Sequence, residues 1–207
     1  MMQRLIFVAL GDSLTFGYQS PSLTSLPTTT PYTTFLKEMI DKFFESINKN
    51  ELEIEIHNEG VCGDLTGGML NRFKHDVIKP DPDFVIVLGG SNDIGYNLQV
   101  PLIFDNLIKI YQKSRENKIK PVACTLPSAL GFDIYIKPLI ELNNLIRKYC
   151  AEHNISCADL FLATSDRVTN RLLKKYSNDG LHLNVKGYKK MAETIFNDAL
   201  KTILISE

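Results

Sequence analysis

Four short segments, far apart along the chain, hold the residue types that nucleophilic chemistry at an acyl group requires. Gly11-Asp12-Ser13-Leu14 puts a serine directly after the apolar run Leu5 to Leu10. Asn58-Glu59-Gly60 and Gly89-Gly90-Ser91-Asn92-Asp93 each follow another apolar run, and Asp179-Gly180-Leu181-His182 lies towards the C-terminus. A serine hydroxyl is a weak nucleophile at neutral pH until a base within hydrogen-bond reach takes its proton. Among the four histidines, His182 is the one set beside both an aspartate and a turn. Asp179 can accept from one imidazole nitrogen and leave the other to face Ser13. Asp159 and Asp166 are the alternative partners. Attack on an ester carbonyl also creates an oxyanion, and the amides of Ser13 and Gly60 with the side-chain amide of Asn92 are the candidate donors to it. Glycine at position 60 would allow the backbone to approach closely.

Taken singly, each segment has a plainer reading. Gly-Asp-Ser is ordinary turn chemistry, Asn92 and Asp93 suit a helix cap, and a lone histidine is usually structural. What favours catalysis is the ordered set, with Ser13, Gly60 and Asn92 each following its own strand candidate. Asp12, Asp64 and Asp93 read as braces of their local turns.

Together these blocks resemble the GDSL esterase and lipase family of the SGNH hydrolase superfamily, over nearly the whole chain. The resemblance implies Ser13 as nucleophile, His182 as base, Asp179 as its orienting acid, and an oxyanion hole of Ser13, Gly60 and Asn92. It also implies an acyl-enzyme mechanism with no cofactor and no metal, and a flavodoxin-like three-layer α/β/α sandwich.

The elements needed to position those residues are visible in the hydrophobic pattern. Apolar runs rich in β-branched residues at Leu5 to Leu10, Leu52 to His57, Phe84 to Leu88, Pro121 to Thr125 and Ile155 to Asp159 predict five strands. Segments with helical spacing alternate with them: Tyr32 to Asn48, Leu102 to Glu116, Ile134 to Glu152 and Val185 to Leu204. Such alternation predicts a parallel sheet of about five strands with helices on both faces, and in that arrangement chemistry collects at the C-terminal ends of the strands. The Ser, Thr and Pro-rich stretch from Ser20 to Pro31 reads as a loop of the site. No dinucleotide fingerprint follows the first strand.

With 207 residues, 44% of them hydrophobic, the chain suits one domain over residues 1–207. Lys+Arg 23 against Asp+Glu 24 gives a net charge of -1, which offers no surplus to hold a phosphate backbone or an anionic membrane. Nucleic acid is therefore not expected as a partner. The N-terminal apolar run is too short for a membrane span or a signal core, so a cytoplasmic protein without stable membrane insertion is expected. The four cysteines show no metal or redox spacing.

The expected substrate is a small-molecule ester with a small to medium acyl group, with thioesterase or lysophospholipase activity in the same range. Leu126, Leu130 and Phe132, in the loop after the fourth strand, offer apolar atoms for the acyl chain. The alternative is a carbohydrate O-deacetylase, for which Trp 0 removes the best sugar-stacking side chain while Tyr 8 supplies others. A catalytically silent ligand-binding protein is the reading of another class. Oligomeric state is not written in the sequence.

Overall fold

In a computed structural model describing residues 3–21, 26, 28–49 and 51–205, the apolar run before Ser13 becomes the second strand of a five-stranded sheet. That strand, β1 (Gln3–Gly11), is followed by a short helix α1 (Ser13–Phe16), a two-stranded ribbon of β2 (Tyr18–Gln19) and β3 (Thr28–Thr29), and helix α2 (Tyr32–Ser46). Next come β4 (Leu52–Gly60), α3 (Thr66–Phe73), β5 (Phe84–Leu88), α4 (Ser91–Gly95) and α5 (Val100–Glu116). The chain continues through β6 (Lys120–Cys124), α6 (Ile136–His153), β7 (Ser156–Ala158), α7 (Leu160–Thr164), α8 (Val185–Thr194) and α9 (Lys201–Leu204). Within the loop that sequence assigns to the site, residues 22–25 and 27 lie outside the described residues.

The sheet order is β4-β1-β5-β6-β7, with every neighbouring pair parallel. Successive side chains of a strand point to opposite faces, and the core divides accordingly. Leu5, Phe7 and Ala9 of β1, with Phe84, Ile86 and Leu88 of β5, pack against Leu36, Ile40 and Phe44 of α2 and Tyr188, Met191 and Ala192 of α8. Val8, Leu10, Val85 and Val87 face the other way, onto Met69 and Phe73 of α3, Ile103, Leu107 and Ile110 of α5, and Leu142 and Ile146 of α6. The result is the expected three-layer α/β/α sandwich. No helix among the described residues is long and apolar enough to cross a membrane.

Helix α3 has no counterpart among the sequence-derived helices, because Gly67 and Gly68 lower its intrinsic propensity. Packing compensates: Met69 and Phe73 are fully buried or nearly so, and the buried Asp93 carboxylate accepts from the Thr66 amide at 3.0 Å and from its hydroxyl at 2.6 Å. The brace expected of Asp93 is thus a cap for α3.

In-register pairing of Gly11 with both Gly60 and Leu88 brings the C-terminal ends of β4, β1 and β5 level. At that level α1 lies directly against β4. A methyl group on Gly60 would stand 2.1 Å from the Phe16 backbone nitrogen and 2.6 Å from its Cα. Backbone on both sides cannot yield as a flexible side chain would. Gly60→Ala is therefore expected to destabilise the fold by about 1–3 kcal/mol, the usual cost of overpacking, and urea denaturation would measure it.

Candidate active site

Strand β1 stops at Gly11, and the next residue turns the chain. The Asp12 carboxylate accepts from the Leu14 amide at 2.9 Å, capping α1, while its backbone carbonyl accepts from the Thr15 and Phe16 amides at 3.1 and 2.9 Å. Ser13 is thereby the first residue of the helix, where an amide has no intrahelical acceptor. Its side chain borders a cavity of about 220 Å³. Asn92, from the turn after β5, and His182, from the loop before α8, border the same cavity. The structure thus brings Ser13, Asn92 and His182 together beyond the C-terminal edge of the sheet.

The base loop is closed by Asp179. Its Oδ1 accepts from the Leu181 and His182 amides at 2.9 and 2.8 Å, and its Oδ2 lies 2.7 Å from His182 Nδ1. Burial pushes this carboxyl upward, but the His182 ring and the two amides outweigh it and hold the group well below the usual carboxylate range. An ionised Asp179 accepts a hydrogen bond from the Nδ1–H of His182, leaving Nε2 as the free basic nitrogen. The alternative acids are engaged elsewhere: Asp159 pairs with Arg147 at 2.7 Å, and Asp166 accepts from its own turn at Val168 and Thr169. His57, His75 and His153 sit against Glu55, Asp76 and the Tyr149 carbonyl, and none of them borders the cavity.

Gly60 does not stand where the sequence placed it. Strand β4 runs through it, its amide donates to the Asn58 side chain at 3.0 Å, and its missing side chain makes room for α1. Past the strand end, the amides of Cys62 and Gly63 have no hydrogen-bond acceptor among the described residues. Val61 and Asp64 close a turn at 3.1 Å with Gly63 at its third position and φ 79°, a left-handed conformation that glycine adopts without strain. The next residue, Asp64, accepts the Asn92 side-chain amide on its carbonyl at 3.0 Å. One N–H of Asn92 is fixed in this way and the other remains for the cavity. The signal for Gly63 was the turn itself, one step beyond the strand end.

Arg72, on α3, links these pieces. Its Nη2 donates to the Gly11 carbonyl at 2.9 Å, its Nε to Asp64 at 2.7 Å and its Nη1 to Asp76 at 2.7 Å.

The loop after β6 also differs from expectation. Leu126 is fully buried in the core, held there because the Asn143 side chain bonds both its amide and its carbonyl, at 2.7 and 3.0 Å. Leu130 packs against the core on the opposite face of the sheet, with its amide on the Gly180 carbonyl at 2.8 Å. Phe132 is partly exposed and stacks on Tyr135. None of the three borders the cavity, whose wall here is Pro127, Ser128 and Ala129, completed by Ile94, Tyr135 and Leu139. Cys62 is exposed in the Gly63 turn and stands outside the cavity lining. Among the described residues no cluster of histidine, cysteine or carboxylate side chains is arranged to hold a metal ion.

Comparison with known proteins agrees with this geometry. The profile of the GDSL-like Lipase/Acylhydrolase family matches residues 9–190, a span that contains every segment of the site, and the chain belongs to that family. It is a GDSL-type acyl-ester hydrolase. An arylesterase of Vibrio mimicus is 22% identical over 203 residues, covering 94% of this chain and 88% of the relative. An acetylxylan esterase of Geobacillus stearothermophilus is 26% identical over 153 residues, covering 74% and 61%. The fold is shared with the lipase/acylhydrolase of Enterococcus faecalis, at TM-score 0.75 and 24% identity over 96% of this chain and 95% of that one. It is shared too with an acetyl-xylooligosaccharide esterase of Geobacillus, at TM-score 0.75 and 18% identity over 95% and 93%.

Asp12 gives a test of the site's electrostatics. Complete burial, with smaller contributions from Asp93 and Asp64, overcomes the Leu14 amide and nearby His182 and raises its carboxyl to about 6. A carboxyl held above its unfolded value favours the folded state at low pH, and that contribution is lost as pH rises from about 4 through about 6. Asp12→Asn keeps the cap acceptor without the charge. Relative to the parent it should gain a few kcal/mol of stability between pH 4 and pH 8, measured by urea denaturation of both proteins at the two pH values. An unchanged difference would mean that Asp12 is solvated.

Proposed function

We propose that the chain removes short acyl groups through Ser13, His182 and Asp179, and that its natural substrates are O-acetyl groups on carbohydrates. The observation that carries the chemistry is the single cavity of about 220 Å³ bordered by Ser13, Asn92 and His182, with Asp179 bound to the far side of the imidazole. Ser13 Oγ attacks the ester carbonyl as His182 Nε2 takes its proton. The oxyanion forms against the Ser13 amide, the free Asn92 N–H and, in place of Gly60, the Gly63 amide. Collapse of this intermediate breaks the acyl–oxygen bond, and the alcohol leaves with the proton from His182. Water, deprotonated by the same nitrogen, then releases the acid and restores Ser13.

The size of the cavity favours an acetyl or similarly short group. The carbohydrate assignment is supported by the likeness to acetylxylan esterase in sequence and fold, and by Tyr96 and Tyr135 at the cavity, whose faces suit a sugar ring. A second reading, simple aryl or alkyl esters, is favoured by the apolar walls Ile94, Pro127, Ala129 and Leu139 and by the likeness to arylesterase.

A serine-directed fluorophosphonate should label the protein at Ser13, and Ser13→Ala should fold yet lose ester turnover. Asn92→Ala should lose about two to three orders of magnitude in kcat with a much smaller change in KM. Near-normal turnover would assign Asn92 to the Asp64 contact alone.

Substrate class is tested separately. Across p-nitrophenyl esters from acetate to palmitate, kcat/KM should peak at the short end, since each methylene adds roughly 0.8 kcal/mol only while the pocket has room. Acetylated xylo-oligosaccharide should be deacetylated faster than an unactivated alkyl acetate such as triacetin. A peak at palmitate would overturn the short-acyl reading, and preference for triacetin would select the second reading of the alcohol.

A further inference from the structure

His182 has a second neighbour that the catalytic steps do not use. The ring of Tyr18 packs against the imidazole in a T-shaped contact, with centroids 4.7 Å apart and planes at 70°. The Tyr18 carbonyl accepts the hydroxyl proton of Tyr188 at 2.5 Å. Tyr188 is fully buried and sits in the first turns of α8, just after the base loop, whereas Tyr18 opens β2 just after α1. His182 borders the cavity and neither tyrosine does, so both act from outside the cavity wall.

We propose that Tyr18, held in place by Tyr188, is a positioning residue that fixes the ring plane of His182 towards Ser13. The inference rests on the reading of His182 as the base. Its physical ground is that the second side-chain torsion of histidine is broad, so the one bond to Asp179 leaves the ring free to tilt about that contact. An aromatic ring packed against it removes this freedom. The hydroxyl of Tyr188 extends the effect by joining the segment that follows the nucleophile to the helix that follows the base. Ser13 and His182 thus share a direct mechanical link, and misplacing reacting groups by about 1 Å can cost roughly a hundredfold in rate.

The test uses Tyr18→Phe, Tyr18→Leu and Tyr188→Phe, with kcat and KM measured on p-nitrophenyl acetate and on an acetate of a bulkier alcohol, beside the rate of fluorophosphonate labelling at Ser13. Tyr18→Phe keeps the ring and should match the parent. Tyr18→Leu should lose about tenfold in kcat with KM within about twofold, by the same factor for both esters and for labelling. Tyr188→Phe should show the same pattern to a smaller degree, and it decides the matter where Tyr18→Leu does not fold. Retention of kcat within about twofold in the variant that decides, a loss expressed in KM, a factor that changes with the alcohol, or an equal loss in Tyr18→Phe would each overturn the proposal. Labelling needs no ester. A parent that labels at Ser13 but turns over neither ester would count against the proposed function, and the labelling rates would still judge Tyr18.

Discussion

The guanidinium of Arg72 distributes its donors over the last carbonyl of β1, the carboxylate of Asp64 and that of Asp76, and the rest of the site depends on that division. The Gly11 carbonyl lies two residues before Ser13. Asp64 carries the Gly63 turn on one side and receives Asn92 on its carbonyl. Two strand ends are therefore held at fixed spacing by one planar group, and Asn92 at a third is tied to them through Asp64; only arginine offers this, since an ammonium has no rigid fork of donors. The side chain is largely buried, as are both of its acidic partners, so solvent screens these bonds weakly. A hydrogen-bond scaffold of this kind is ready before the substrate arrives, which is the condition for electrostatic stabilisation of an oxyanion without reorganisation.

His182 is secured by different means. Asp179 closes its own loop with two amides and the imidazole, so its acidity and the position of His182 arise from the same local bonds. That loop is joined to the cavity wall through Leu130, whose amide rests on the Gly180 carbonyl. The loop after β6 thus serves the site mainly as a strut, with Leu126 and Leu130 turned into the core and its small residues left at the cavity.

Much of this could be read from the chain. Strand periodicity and the turn chemistry of Gly11-Asp12-Ser13 predicted the sheet and the place of the serine, because both are local consequences of sequence. The Asp179 to His182 contact was also legible, since three residues of separation leave few geometries. Gly60 failed for a physical reason: the strand runs on to pair with Gly11, so its amide meets Asn58 and the turn with a free amide comes later. Leu126, Leu130 and Phe132 failed because a loop's hydrophobicity does not reveal which face it turns inward, and here Asn143, distant in sequence, sets that choice. Arg72 was silent for the same cause. Its role exists only in three dimensions, and its helix is disguised by two glycines.

The order of the segments has one more consequence. Ser13, Gly63 and Asn92 lie between residues 13 and 92, whereas Asp179, His182 and Tyr188 lie between residues 179 and 188. Helix α8 also supplies Tyr188, Met191 and Ala192 to the layer that covers β1 and β5. Without this segment Ser13 has no His182 beside it, and one face of the sheet is uncovered. Placement of His182 and closure of the core on this face therefore depend on the same stretch of chain, so that neither is reached without the other.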